Sequence, residues 1–352
     1  MTAEVRRLPK AVFIDPPSRD FLGDRLFDVS DSRLNRDGTL LPYARLKASF
    51  DQRGIAVHTA DFMFEGRVEA SNSHYWSLGI ADNYKNISPS SSVELKGFLI
   101  MEPPVVAPHL YAMLPELTSA FETVYTHNII GDGYQLEGVN ASRLRQLYWQ
   151  QPYDDAVERY WNQTDRQNRL VAIAGNHNPG RRRPEFYSRR IEAIAALVHA
   201  DGIDLFGRGW ERWWNRSSAW WPYWRHALSL RKAWRGPSGD KLLTLSAYRF
   251  SLCFENMPMA GYLTEKIFDC LYAGTVPVYL GAPDIDELIP AEAFVDMRNF
   301  DSYAEMLTFV QGMSHADWED KRRVGREFLQ TKGRALYYDS LLKIFDVEGC
   351  AL

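Results

Sequence analysis

Short apolar runs bounded by Gly, Pro or polar clusters recur along this chain, separated by stretches whose apolar residues fall at helical spacing. Ala11–Asp15 (AVFID), stopped by Pro16 and Pro17, predicts a buried strand feeding a loop. Residues 41–52 carry a helical pattern ended by Gly54, and residues 55–62 read as a strand, so a helix leads into a strand as in parallel α/β folds. Residues 97–101 (GFLIM) predict another buried strand, with Glu102 at its end and Pro103 and Pro104 blocking continuation. In open α/β sheets ligands bind outside the carboxyl ends of strands, so a carboxylate placed there is a candidate functional group.

The second half repeats this grammar. Residues 153–169 are polar and helix-favouring, 170–175 strand-like, 185–199 an amphipathic helix, Ile203–Phe206 a strand and 248–255 another apolar strand. Thr264 is placed to cap a helix over Glu265–Ala273, with Gly274 as its terminator and Val276–Leu280 (VPVYL) as the next strand. Asp301 or Ser302 starts a further helix, with Glu305 completing a capping box. From Asp317 onward the chain reads as helical and charged on one face. There is no internal repeat.

A length of 352 residues exceeds what one hydrophobic core supports, which sets two domains as the expectation. The expected division is 1–160, 161–330 and a C-terminal helix over 331–352 packing back toward the first domain. A net charge of -4 gives no general attraction to phosphate polymers, so nucleic acid is not an expected partner. Cys253, Cys270 and Cys350 are far apart and without metal-ligand spacing, which reads as reduced thiols. Residues 1–10 lack an apolar signal core, and no run approaches the ~18 apolar residues of a membrane span. The expected location is the cytoplasm, including a peripheral place at the inner membrane face.

The densest chemistry lies in residues 248–283: Y-R-F-S-L-C-F-E-N, then G-Y-L-T-E-K-I-F-D-C-L-Y-A-G-T-V-P-V-Y-L-G-A-P. This segment resembles the donor-binding core of the glycosyltransferase family 10 α1,3/4-fucosyltransferases, with its Y-[KR]-F, F-E-N, Y-[VIL]-T-E-K and V-P-V elements. Arg183-Pro184-Glu185-Phe186-Tyr187 resembles that family's R-x-x-F-Y segment, residues 171–178 its preceding strand and loop, and Glu102-Pro103 the segment holding its proposed base. The resemblance covers roughly residues 97–300 and is strongest over 248–283.

It implies a GT-B architecture, two Rossmann-like α/β domains facing across a cleft, and inverting transfer of fucose from GDP-fucose to a hydroxyl of a glycan acceptor. Glu102 is then the base, and Arg183 and Lys266 neutralise the departing diphosphate, the first as a bidentate fork and the second as a point charge. Glu265 accepts from ribose hydroxyls, while Tyr248, Glu255, Asn256 and Tyr262 complete the donor pocket. No tightly bound cofactor is implied, and a divalent metal is not required by the fold although it could stimulate. Independently of the family, a carboxylate and a cation at a helix start sit where backbone N–H groups and the dipole favour an anion such as a diphosphate. The same machinery with another GDP-sugar, or a non-catalytic carbohydrate-binding homologue, are the competing functions.

Plain readings stand beside these. Thr-Glu-Lys is a common capping sequence, Glu102 alone is a solvated carboxylate at a strand end, and Arg181-Arg182-Arg183 is a solvated basic loop in which Arg182 could replace Arg183. Asp284-Ile-Asp286 mimics a metal-binding D-x-D and is read as fortuitous. The histidines show no zinc spacing.

Seven of the eleven tryptophans, Trp210, Trp213, Trp214, Trp220, Trp221, Trp224 and Trp234, fall within 210–234, among Arg212, Arg216, Arg225, Arg231, Lys232 and Arg235. A packed aromatic helix, a sugar-stacking platform and an interfacial membrane contact all fit that composition.

Overall fold

The computed structural model of the chain describes residues 8–345 apart from 90, 181, 183 and 212–219. The chain divides into two compact units, the first running to Pro152 and regaining the chain from Tyr337 onward, the second spanning Tyr153–Leu336.

The first unit is built on six parallel strands, β1 (Ala11–Asp15), β2 (Ala56–Thr59), β3 (Ser73–Ser77), β4 (Val93–Leu99), β5 (Thr123–Thr126) and β6 (Leu144–Gln146), in the order β2-β1-β3-β4-β5-β6. All five residues of β1 are buried, as expected of a parallel strand covered on both faces. Leu41–Asp51 is helical as its spacing predicts, but only Ala56–Thr59 of the strand-like run 55–62 pairs, because Asp61–Phe64 turns into a short helix. The returning C-terminal segment is held by Arg45, which donates to the carbonyls of Gln151, Pro152 and Tyr338 at 2.9–3.0 Å. The same guanidinium lies 3.7 Å from the Tyr338 ring centroid. Phe345 stacks on Trp76 at 4.0 Å, a contact worth about 1 kcal/mol beyond the area it buries.

The second unit has five parallel strands, β7 (Gln167–Ile173), β8 (Ile203–Phe206), β9 (Tyr248–Phe254), β10 (Val276–Leu280) and β11 (Val295–Asp296), ordered β11-β10-β9-β7-β8. Residues 153–169, read as helix-favouring, form only the short helix Glu158–Trp161 before β7 begins. The Glu265–Ala273 helix ends as predicted, with Gly274 left-handed at φ 69°. Ser302 caps the Tyr303–Gly312 helix through the Glu305 N–H, and Glu305 reaches back to the N–H of Asp301. Cys253 and Cys270 are buried free thiols.

Most of the described tryptophans serve packing. Trp210 is buried and its indole N–H donates to the Ala174 carbonyl at 2.7 Å, Trp220 is buried, and Trp234 donates to the Gly207 carbonyl at 2.9 Å. Trp213, Trp214, Arg212 and Arg216 lie outside the described residues. The β7 and β8 ends are held together at Gly207, whose φ is +140° and where an added Cβ would stand 1.9 Å from the Ala174 oxygen. Gly207→Ala is therefore expected to cost more than about 4 kcal/mol in denaturant unfolding; a loss under about 1 kcal/mol would contradict this packing.

Candidate functional site

In the second unit β7 connects to β8 on one side and the chain then returns to place β9 on the other, so the connections diverge between β7 and β9. Such a switch point opens a crevice at the carboxyl ends of the two strands. There stand residues 174–178 after β7, Glu255 and Asn256 after β9, and the first turns of the helices Tyr187–His199 and Glu265–Ala273.

Glu255 is the centre of this rim. The apolar run of β9 carries the chain through the sheet and ends in a carboxylate with no exposure, its N–H fixed on the Leu280 carbonyl at 2.8 Å. The carboxylate accepts from the Thr264 N–H at 3.0 Å, from the Thr264 hydroxyl and from the Lys266 ammonium at 3.0 Å. Thr264 occupies the N-cap position with extended backbone, but its hydroxyl makes no capping bond, because it is turned to Glu255 and also accepts from Lys266 at 2.8 Å. The sequence-based cap is thus corrected. The first-turn amides of this helix have no side-chain cap from Thr264, and uncapped amides at a helix start are where an anion is stabilised.

Burial alone would lower the affinity of Lys266 for its proton, but the carboxylates of Glu255 and of Glu265, 3.6 Å away, outweigh it and raise its pKa. Burial likewise pushes the Glu265 carboxyl up, and the ammonium groups of Lys266 and Lys241 overcome this and bring it down to about 2. Both side chains are charged throughout the physiological range.

The loop between β9 and this helix is pinned along its length. Tyr262 is buried and its hydroxyl accepts from the Asn256 amide at 3.2 Å, the Asn256 carbonyl accepts from the Phe186 N–H at 2.8 Å, and the Asp284 carboxylate takes the Gly261 N–H at 2.9 Å. Asp286, the other half of the D-x-D, pairs instead with Arg298 at 3.3 Å. The two carboxylates are therefore committed to different partners. Among the described residues no group of three His, Cys, Asp or Glu is placed to hold a metal ion.

Glu255, Asn256, Tyr262, Glu265 and Lys266 thus come together. Tyr248 does not: it opens β9, its hydroxyl donating to Asp204 at 2.9 Å, and seven residues of strand put it roughly 20 Å from Glu255. There it belongs to an ionic cluster in which Asp204 also meets Arg169 and Arg235 at 3.1 and 2.8 Å. The structure thus places Tyr248 in this ionic cluster and not beside the other donor-pocket candidates. Arg183 lies outside the described residues. Glu102 belongs to the first unit, exposed in the turn after β4, where its carbonyl accepts from the Tyr111 hydroxyl at 3.2 Å and the neighbouring Met101 carbonyl bonds His127 at 2.7 Å.

Residues 165–322 match the family described as glycosyltransferase family 10 (fucosyltransferase) C-term. Over those residues the chain is similar to that family's C-terminal domain. An alpha-(1,3)-fucosyltransferase of Helicobacter pylori is 37% identical over 67 residues, 19% of this chain and 14% of that protein. Human alpha-(1,3)-fucosyltransferase 7 is 41% identical over 90 residues, 23% of this chain and 26% of that protein. The chain thus spans only a minor part of the relatives it matches. A crystal structure of an alpha1,3-fucosyltransferase superposes with a TM-score of 0.54 at 13% identity, covering 99% of this chain and 93% of that one, a likeness of fold. The two parallel α/β sheets are those of the GT-B class.

A buried cation that the sequence pattern does not single out also stands at this rim. Arg190, on the Tyr187–His199 helix, is buried and donates to the carbonyls of Phe254 at 2.5 Å and Glu255 at 3.0 Å. Burial lowers its pKa, only partly offset by the neighbouring acidic groups. It looks like an ordinary polar position on an amphipathic helix, and only its i, i+3 relation to Tyr187, over whose ring it sits at 5.5 Å, hints that it faces inward.

Proposed function

We propose that the chain is an inverting glycosyltransferase that moves fucose from GDP-fucose to a hydroxyl of a glycan acceptor. The observation that supports it best is the Glu255–Thr264–Lys266 cluster at the switch point of the second unit. There a fixed cation stands beside helix-start amides that Thr264 leaves uncapped. A diphosphate fits this combination of charge and donors. Fucose as the transferred sugar follows from the fucosyltransferases that the domain resembles.

In this reading Lys266 and Arg183 take up the charge that develops on the diphosphate as the bond to the anomeric carbon breaks. The acceptor hydroxyl attacks the opposite face of that carbon and gives its proton to Glu102, so the β-linked donor yields an α-fucoside. Glu265 holds ribose hydroxyls, a role suited to a carboxyl kept ionised by two lysines. No resident cofactor enters the scheme.

The direct test is a panel of nucleotide sugars with a glycan array. GDP at roughly a hundred times its Kd is expected to stabilise the protein by about 2.7 kcal/mol, seen as a raised melting midpoint, with UDP giving less. Transfer is expected from GDP-fucose. A midpoint unmoved by every GDP compound would remove the donor assignment, and binding without product would leave a carbohydrate-binding homologue.

A further inference from the structure

The helix Trp221–Ala233 packs on the Tyr187–His199 helix and buries Tyr223, Ala227, Leu230 and Ala233. At 100° per residue, Trp221, Arg225, Leu228 and Lys232 all fall within about 60° of one another on the opposite face, a stripe roughly 16 Å long. Trp221 is 72% exposed and Leu228 78%, and Arg225 and Lys232 are exposed, with Arg231 exposed at the border of the stripe. The sequence of this helix, WPYWRHALSLRKA, contains no carboxylate. Among the described residues no carboxylate pairs with Arg225 or Lys232, in a chain whose net charge is -4. The positive, apolar face is therefore a local feature and not the overflow of a basic protein.

We infer that this face docks on an anionic lipid bilayer, with Trp221 and Leu228 seated at headgroup depth and Arg225 and Lys232 against lipid phosphates. The chemistry selects a bilayer over an acidic protein because cations and large apolar groups alternate along one line. A phosphate plane above hydrocarbon accepts both, since the long basic side chains can reach up while the indole sits at the boundary. The buried face keeps the helix on its own unit, so docking requires no refolding. Donor binding plays no part in this inference, which stands or falls separately from the transferase reading.

The test is sedimentation of the full chain with vesicles of phosphatidylcholine alone and of phosphatidylcholine with phosphatidylglycerol. Binding is expected only with the anionic lipid and should weaken as salt rises. Arg225→Gln with Lys232→Gln should lower partitioning roughly 25-fold, taking about fivefold for each cation. Trp221→Ser with Leu228→Ser should lower it as well, while the melting midpoint of both variants stays at the wild-type value. Equal binding to both vesicle types, no binding at low salt, or wild-type binding by folded variants would overturn the inference. So would Trp221-dependent self-association in the ultracentrifuge without vesicle binding, which would assign the face to a second copy of the chain.

Discussion

Lys266→Met is expected to lower transfer by about 100- to 1000-fold and, in the same protein, to destabilise the second unit by about 3 kcal/mol. Two effects arise because one ammonium has two tasks. It supplies the positive charge beside the helix start, and it is the cation paired at 3.0 Å with the fully buried Glu255 carboxylate. Removing it leaves that carboxylate with the Thr264 N–H and hydroxyl as its hydrogen-bond donors and the Arg190 guanidinium as the nearby cation, so the unfolding cost is mostly that of a buried charge that has lost its direct ion pair. Glu255→Gln combined with Lys266→Met should return part of the stability but none of the turnover. Denaturant unfolding and initial rates on the two variants separate these effects. A single variant as stable as wild type would mean that Glu255 is not held by Lys266, and a double variant with restored rate would remove Lys266 from the leaving-group role.

Glu102→Gln, by contrast, is expected to leave the melting midpoint and the GDP-induced rise unchanged and to cut transfer by about 100- to 10,000-fold, the range for losing a general base. The side chain is exposed in the turn after β4, where the Val106 and Ala107 N–H groups donate to the Pro103 carbonyl, the Tyr111 hydroxyl donates to the Glu102 carbonyl and the His127 ring bonds the Met101 carbonyl. The neutral amide preserves size and polarity while losing the ability to take a proton. Rates measured across pH with saturating donor give the readout. A variant that keeps more than about a tenth of wild-type turnover would move the base to another residue.

Much of this architecture is legible along the chain. AVFID, IDLF and VPVYL are strands with the bounds read from their apolar runs, since a parallel strand covered on both faces has no polar alternation to blur its ends. Gly274 is the left-handed helix terminator that its position predicts. The errors are just as specific. Residues 153–169 have helix-favouring composition but little periodicity, and mostly run irregularly into β7. The strand-like stretch 55–62 stops early because Thr59 and Asp61 bond each other and turn the chain.

The sequence by itself determined that Glu255, Tyr262, Glu265 and Lys266 share one end of a parallel sheet, because strand, loop and helix follow one another there without interruption. It also determined that the 210–234 segment is aromatic and basic. Only the tertiary structure decided that Thr264 serves Glu255 instead of its own helix, that Tyr248 stands at the far end of β9 with Asp204, that Arg190 braces the strand end, and that Trp210 and Trp234 point inward while Trp221 points out. The physical reason is common to all four. Periodicity tells which residues leave water, but the partner of a buried polar group is chosen by the groups that the folded strands, loops and helices bring beside it.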